Sequence, residues 1–296
     1  MSTTSPYVRR LRLGNELREL RRKANLTAEQ LGSRIGASRL KISRLETAGS
    51  KPDLADVWKI LDVLNVEEGS PRWRELIQVA RDAAERGWWE APKWSRLGVR
   101  QARGADLESG AVAIKMYETE LVPGLLQTEE YYRALCDIAE AGGQQFDRTV
   151  EVQARIRRQE EFTRDGGPVF DVVVEEQAIR RLFVPADVMR SQLEKLLQLI
   201  QSERITFRVL PVNAVMVGVS VPRAAFEIYS YADPGDPTVV HLDNVTADVL
   251  MTEPDDVEPY VRQFEGFGSC ARSQEDSARV LTSVVDLLAT EETRGK

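Results

Sequence analysis

The stretch Leu26-Thr-Ala-Glu-Gln-Leu-Gly-Ser-Arg-Ile-Gly-Ala-Ser-Arg-Leu-Lys-Ile-Ser-Arg-Leu-Glu46 constrains the chain more than any other. Thr27 and Gln30 have the form of a capping box. The hydroxyl accepts from the amide three residues on while Gln30 reaches back to the amide of the cap, so a helix starts there. That helix carries Leu31 and Ile35 inward and stops at Gly36, a residue that takes the left-handed conformation of a tight turn between helices. Ser38 caps the next helix, about Arg39 to Thr47. It buries Ile42 and Leu45 and leaves Arg39, Leu40, Ser43 and Arg44 facing out. Local chemistry thus fixes two short helices and the turn between them.

The text around this pair is helical as well. A helix from about Leu11 to Ala24 aligns Leu13, Leu17 and Leu20 on one face. Another follows Pro52-Asp53, with Leu54, Val57, Ile60, Leu61 and Leu64 as its apolar side, and a fifth begins near Pro71, a residue favoured in a first helical turn. Five helices therefore make a domain over residues 1–85. Residues 86–105, rich in Trp, Arg and Gly, read as a connector, and residues 106–296 as a second, larger domain; a length of 296 residues favours two. In that second part, helices are expected at about 107–118, 128–141, 147–164, 185–202, 255–271 and 273–291. Strand-like runs are Val169 to Val174, Ile205 to Leu210, Ala225 to Tyr231, Val239 to Leu242 and Val245 to Met251. The fold class is mainly α with an α+β C-terminal domain.

Charge sharpens the division. The net charge is −7, which by itself argues against a nucleic-acid partner, yet residues 1–52 hold twelve Lys or Arg and four Asp or Glu. That segment carries +8 and leaves −15 for the rest, the footprint of a basic DNA-binding module joined to an acidic body. No apolar run approaches the roughly twenty residues of a membrane span, and Met1 to Arg10 has no apolar stretch of secretory type. A cytoplasmic protein without membrane contact is expected. Cys136 and Cys270 have no metal-type spacing and suit reduced, buried thiols.

The segment from Leu26 to Glu46, with Ile-Gly at the turn, Ile-Ser-Arg-Leu-Glu on the following helix and a further helix after a Pro, resembles the helix-turn-helix of the phage Cro and repressor class, also called the xenobiotic-response-element (XRE) family. The resemblance covers residues 11–69. It implies a DNA-binding transcription factor of Cro/C1 type, with Arg39, Leu40, Ser43 and Arg44 contacting bases and Thr27, Ser38 and Lys41 contacting phosphates. The chemistry suits those tasks: Arg bonds bidentately to guanine in the major groove, Leu40 suits a thymine methyl, and Lys41 adds attraction that weakens with salt. A solvated helix face is the alternative for the two arginines. Arg21 and Glu46 match the family's pair linking the first and third helices. Ala28 stands where many members have a phosphate-contacting Gln, so one positioning contact is expected to be absent.

Met116-Tyr-Glu-Thr-Glu-Leu-Val-Pro-Gly-Leu-Leu-Gln-Thr-Glu-Glu-Tyr131 resembles the signature of a domain of unknown function carried by many actinomycete regulators behind such a helix-turn-helix, the WhiJ-like regulators. Gly87-Trp-Trp89, Arg155 to Gln159, Val174 to Arg181 and Val209-Leu-Pro211 fit it too. The resemblance implies a developmental or antibiotic-pathway regulator, often encoded beside a small companion protein. Gly266 and Gly268 interrupt what is normally an unbroken helix there, at ~1 kcal/mol each relative to Ala, so that helix is expected to bend or end early.

No enzyme is expected. His241 is the only histidine and sits in an apolar strand; there is no Gly-rich phosphate loop, no metal-ligand spacing and no cofactor motif. Glu118 with Glu120 and Glu175 with Glu176 read as acidic, solvated surface. Leu125 and Leu126 are expected to pack inward from a fixed Pro-Gly loop. Trp73, Trp88, Trp89 and Trp94 cluster; Trp88, Trp89 and Trp94 are candidates for a partner or ligand surface, although packing between the domains accounts for them better. The reading is a regulator with double-stranded DNA as partner, a homodimer on an inverted repeat, and a C-terminal domain for sensing, dimerisation or partner binding. The effector stays open. The alternative is an antitoxin-like protein that binds a small companion through its C-terminal domain and autoregulates through DNA.

Overall fold

The computed structural model describes residues 4–243 and 248–294. Residues 1–3, 244–247 and 295–296, which belong to the expected domains 1–85 and 106–296 and to the expected strand Val245 to Met251, lie outside the described residues. The chain forms two compact units. The first holds the residues up to Ser95 together with Arg103–Ala111 and Tyr231–Pro237; the second holds Arg96–Ala102, Val112–Ser230 and the chain from Thr238 onward. The unit that begins the chain therefore extends beyond residue 85 and takes in two later segments, one spanning the end of the expected connector and the start of the expected second domain, the other within that domain.

The first unit opens with five helices: α1 (Pro6–Lys23), α2 (Ala28–Ile35), α3 (Arg39–Glu46), α4 (Leu54–Val63) and α5 (Pro71–Ala84). Ser5, Thr27, Ser38, Asp53 and Ser70 each accept from an amide of the helix that follows, satisfying donors that a helix start leaves unpaired. The Ser5-Pro6 cap starts α1 five residues before the expected Leu11. Leu13, Leu17, Leu31, Ile42, Val57 and Leu76 lie at the centre of a shared core. Leu54 does not join them: it is 40% exposed, because it occupies the first position of α4, ahead of the row that faces inward.

The expected connector is largely ordered. Trp88–Glu90 and Pro92–Trp94 form single 3-10 turns, and α6 runs over Val99–Glu108.

The second unit is built on a six-stranded sheet in the order β3-β2-β1-β4-β5-β6. Its strands are β1 (Ala111–Glu118), β2 (Val169–Glu175), β3 (Ile205–Leu210), β4 (Phe226–Tyr231), β5 (Val239–Asp243) and β6 (Asp248–Met251). β1, β2 and β3 pair in parallel, with Met116 opposite Val172 and Val172 opposite Phe207; β4, β5 and β6 pair antiparallel. Parallel neighbours need crossovers. α7 (Glu129–Ala141) and α8 (Arg148–Thr163) connect β1 to β2, and α9 (Gln177–Arg180) and α10 (Ala186–Leu199) connect β2 to β3. α11 (Pro254–Cys270) and α12 (Gln274–Arg294) end the described chain. Tyr117, Val173, Phe226, Ile228, Phe264 and Phe267 form a core that joins the sheet to α11.

Two expectations are overturned here. The helix expected at 107–118 ends at Glu108, and residues 111–118 are strand β1. Ala111, Ile114, Lys115 and Met116 suit a helix locally, but a place between β2 and β4 supplies ladder partners on both sides, and tertiary pairing overrides propensity. Nor do Gly266 and Gly268 end α11, which continues to Cys270. Both are sites of close approach. A Cβ on Gly266 would stand 2.7 Å from Val219 Cγ2, and one on Gly268 would collide with the Arg208 guanidinium.

Candidate nucleic-acid interface

The geometry of α2 and α3 follows from their caps. The Gln30 amide donates to Thr27 Oγ1 at 3.1 Å and the Thr27 amide to Gln30 Oε1 at 2.8 Å, completing the capping box. Gly36 has φ 73°, in the left-handed region. The Lys41 amide then donates to Ser38 Oγ at 3.2 Å and starts α3.

One side of α3 is fixed from behind. Ile42 and Leu45 are buried, and so is the Glu46 carboxylate. Arg21 grips that carboxylate in a bidentate pair, Nε to Oε1 at 2.6 Å and Nη2 to Oε2 at 2.8 Å, while its Nη1 donates to the Leu26 carbonyl at 2.8 Å. Arg18 adds a bond to the Glu46 carbonyl. Arg21 thereby ties α1, the loop before α2 and the end of α3 together. The helices touch at Gly14, where a Cβ would lie 2.7 Å from the Glu46 carbonyl oxygen. No sequence signal singled out that glycine; a small residue in the otherwise large-residue apolar face of α1 could have.

The other side of α3 is open. Arg39, Leu40, Lys41, Ser43 and Arg44 are exposed, with Leu40 58% exposed, and Thr27 and Ser38 are exposed beside them. The two cap hydroxyls use their acceptor capacity on amides and retain an O–H to donate. Lys41 differs from its neighbours because its ammonium pairs with the Asp56 carboxylate, whose bond to it raises the lysine pKa.

The basic excess of residues 1–52 is divided. Arg9, Arg10, Arg12, Arg18, Arg21, Lys23, Lys41 and Lys51 all have carboxylate partners. Arg22, Arg34, Arg39 and Arg44 are exposed and have no ion-pair partner among the described residues. Arg12 is buried, bonding Asp233 at 2.7 Å and Glu75 at 2.6 Å, and Arg9 bonds Asp233 at 3.0 Å. Asp236, with a fully buried side chain, lies 3.4 Å from Arg9 and 3.5 Å from Arg12. The pairs with Asp233 and Asp236 were not legible in the sequence, because their members are more than two hundred residues apart, and Arg12 and Glu75 are 63 apart.

The tryptophans do not offer a broad surface. Trp89 and Trp94 are buried and Trp88 is half-buried, with Trp88 edge-on to both at 5.8 and 4.9 Å between ring centroids. Trp88, Trp89 and Trp94 thus pack on one another, with Trp88 the one that keeps some exposed area.

In the second unit, His241 Nδ1 lies 2.8 Å from Glu227 Oε2, which also accepts from the Tyr229 hydroxyl at 2.5 Å. Burial works against both charges, yet the mutual bond raises the His241 pKa and lowers that of Glu227. Glu118 is not the solvated carboxylate expected from the sequence. Burial, with the charge of Glu227 nearby, pushes its pKa up to about 8. Glu176 is buried too and bonds Arg180 at 2.6 Å. Leu125 and Leu126 are buried in the Pro-Gly loop, as the sequence indicates. Cys136 and Cys270 are free thiols, the first buried and the second half-buried. Among the described residues no helix is long and apolar enough to cross a membrane, and no group of three His, Cys, Asp or Glu is placed to hold a metal.

Comparison with known proteins agrees with this geometry. Residues 12–72 match the family described as Helix-turn-helix domain, and residues 101–283 match the Domain of unknown function (DUF5753). No curated protein and no solved structure matches the chain. The second match includes Arg103–Ala111 and Tyr231–Pro237, the two segments that fold with the helix-turn-helix. With an N-terminal helix-turn-helix that presents one exposed face of α3, and with more than half its length in the second match, the chain belongs to the DUF5753 family as a helix-turn-helix DNA-binding regulator.

Proposed function

We propose that this protein is a Cro/repressor-type, sequence-specific transcriptional regulator that binds an inverted repeat as a homodimer in the cytoplasm. Its α3 enters the major groove with Arg39, Leu40, Ser43 and Arg44 toward base edges, and Thr27 and Ser38 donate to phosphates on either side. The observation that carries the reading is the two-sided character of α3: one face anchored through Ile42, Leu45 and the Arg21–Glu46 pair, the other exposed and bearing two unpaired guanidinium groups. A rigid element that presents unpaired Arg is what bidentate guanine recognition requires. Two such units reading half-sites about one turn, ~34 Å, apart give the dimer.

The C-terminal domain supplies sensing, dimerisation or partner binding. We assign it no catalytic step; the Nδ1 of its histidine, His241, is engaged by Glu227.

Genome-wide mapping of bound DNA with wild type and the Arg39→Ala, Arg44→Ala double variant tests the proposal. Discrete peaks that share an inverted repeat and vanish in the variant are expected. A folded wild type with no peaks above background removes the reading. Light scattering that shows a monomer with and without the mapped site removes the dimer alone.

A further inference from the structure

Lys41 sits among the exposed residues of α3, yet its charge is already engaged. Its ammonium pairs with Asp56, in the first turn of α4, and Asp53 of the same turn adds a second negative charge nearby. The Lys41 side chain is 54% exposed and that of Asp56 16%, so the carboxylate is the fixed member of the pair and the lysine the mobile one. Asp56 is held where it is for two reasons. Its amide lies in the capped turn, 3.4 Å from Asp53 Oδ1, and a helix N-terminus favours a carboxylate. Arg39 and Arg44 have no comparable partner among the described residues.

Base-reading and phosphate-binding contacts contribute differently to recognition. Phosphate neutralisation by lysine strengthens binding to every sequence alike, whereas bidentate arginine contacts strengthen binding to the correct one. A carboxylate that occupies a lysine on the reading helix subtracts from the first term and leaves the second alone.

We propose that Asp56 sets the sequence-independent part of DNA affinity: by holding Lys41 it withholds one phosphate contact per protomer and lowers binding to every sequence alike, leaving discrimination to Arg39 and Arg44. This inference rests on the DNA-reading function of α3 proposed above. It reassigns Lys41 from phosphate contact to an intramolecular partner.

The test compares full-length wild type, Asp56→Asn, Lys41→Met and the double variant in fluorescence-anisotropy titrations. The probes are a duplex carrying the mapped site and a random duplex of equal length, between about 50 and 200 mM salt. Asn keeps the shape of Asp56, and circular-dichroism melting confirms that each variant is folded. With Asp56→Asn, affinity for the random duplex is expected to rise several-fold. Affinity for the mapped site rises by a similar factor, the slope of log K against log salt steepens by about 0.9 per protomer on both duplexes, and the ratio of specific to random affinity stays near its wild-type value. Lys41→Met alone leaves the slope at its wild-type value, and in the double variant the gain disappears. The proposal is overturned by Asp56→Asn without a change in slope, or by Lys41→Met that flattens the slope of the wild type, since Lys41 then already meets a phosphate. A wild type that binds neither duplex overturns the functional reading and this inference with it, an outcome distinct from the other two.

Discussion

Arg9 and Arg12 on α1 and Arg39 and Arg44 on α3 are alike in sequence: basic residues on short amphipathic helices in a segment with a net charge of +8. Their surroundings are opposite. The α1 pair is buried against Asp233, Asp236, Asp82 and Glu75, while the α3 pair is exposed and unpaired among the described residues. The difference teaches that a local excess of positive charge does not measure what a segment offers to phosphate. Much of it here is cancelled by carboxylates that the fold brings from α5 and from the turn between β4 and β5. Arg9 and Arg12 are structural, and Arg39 and Arg44 are among the arginines left available to a ligand.

That contrast is easiest to break from the α1 side. Arg12→Ala leaves Asp233 and the buried Asp236 short of a cation and is expected to lower the unfolding free energy by about 3–5 kcal/mol, read as a lower urea midpoint. Arg39→Ala in the same assay should stay within ~0.5 kcal/mol of wild type. Equal losses in the two variants would mean that the two pairs of arginines do not differ in role.

Glu118 extends the comparison to a carboxyl withdrawn from water, where desolvation and the nearby charge of Glu227 outweigh the pull of Arg155. Its pKa is raised from 4.5 to about 8, so in that window the folded state keeps a proton that the unfolded chain has lost, and stability falls as pH rises between those values. His241 acts in the same direction: its pKa is raised above 6.5, and the stability it confers is lost as pH rises through the folded value. Glu118→Gln is expected to flatten the decline above pH 4.5 and to gain on the order of a few kcal/mol at alkaline pH. A pH profile parallel to wild type would show that the carboxyl is solvated after all.

From the α3 side, Arg39→Ala or Arg44→Ala is expected to cost ~1–3 kcal/mol of discrimination against a changed base pair, measured as the ratio of affinities for the mapped site and its single-base variants. A loss of affinity that is uniform across sequences would reassign that arginine to a phosphate. Ser38→Ala is expected to cost ~1 kcal/mol of stability from the lost cap, seen as a modest drop in Tm.

The helix-turn-helix was legible because each of its signals is local. The Thr27–Gln30 box, Gly36, the Ser38 cap and the inward Ile42 and Leu45 all act within one or two turns, and the structure shows each in place. The start of α1 was not read because Ser5-Pro6 precedes the first repeat of leucines, although Ser followed by Pro is itself a start signal. Leu54 was assigned to the core from a periodicity that the first residue of a helix does not obey. β1 was read as helix since its apolar spacing satisfies both periods, and only the partners on either side decide between them.

For this protein, the order of amino acids alone determined the five N-terminal helices, the outward row of α3, four of the strands to within a residue, and α7, α8 and α10. These depend on hydrogen bonds and side-chain spacing over a few residues. Tertiary structure decided which arginines remain free, that Lys41 is bound to Asp56, that Glu118 is largely withdrawn from water, and that α11 passes Gly266 and Gly268 without ending. Each of those depends on a partner distant in sequence, whose charge or close approach becomes effective only when folding removes the water between them.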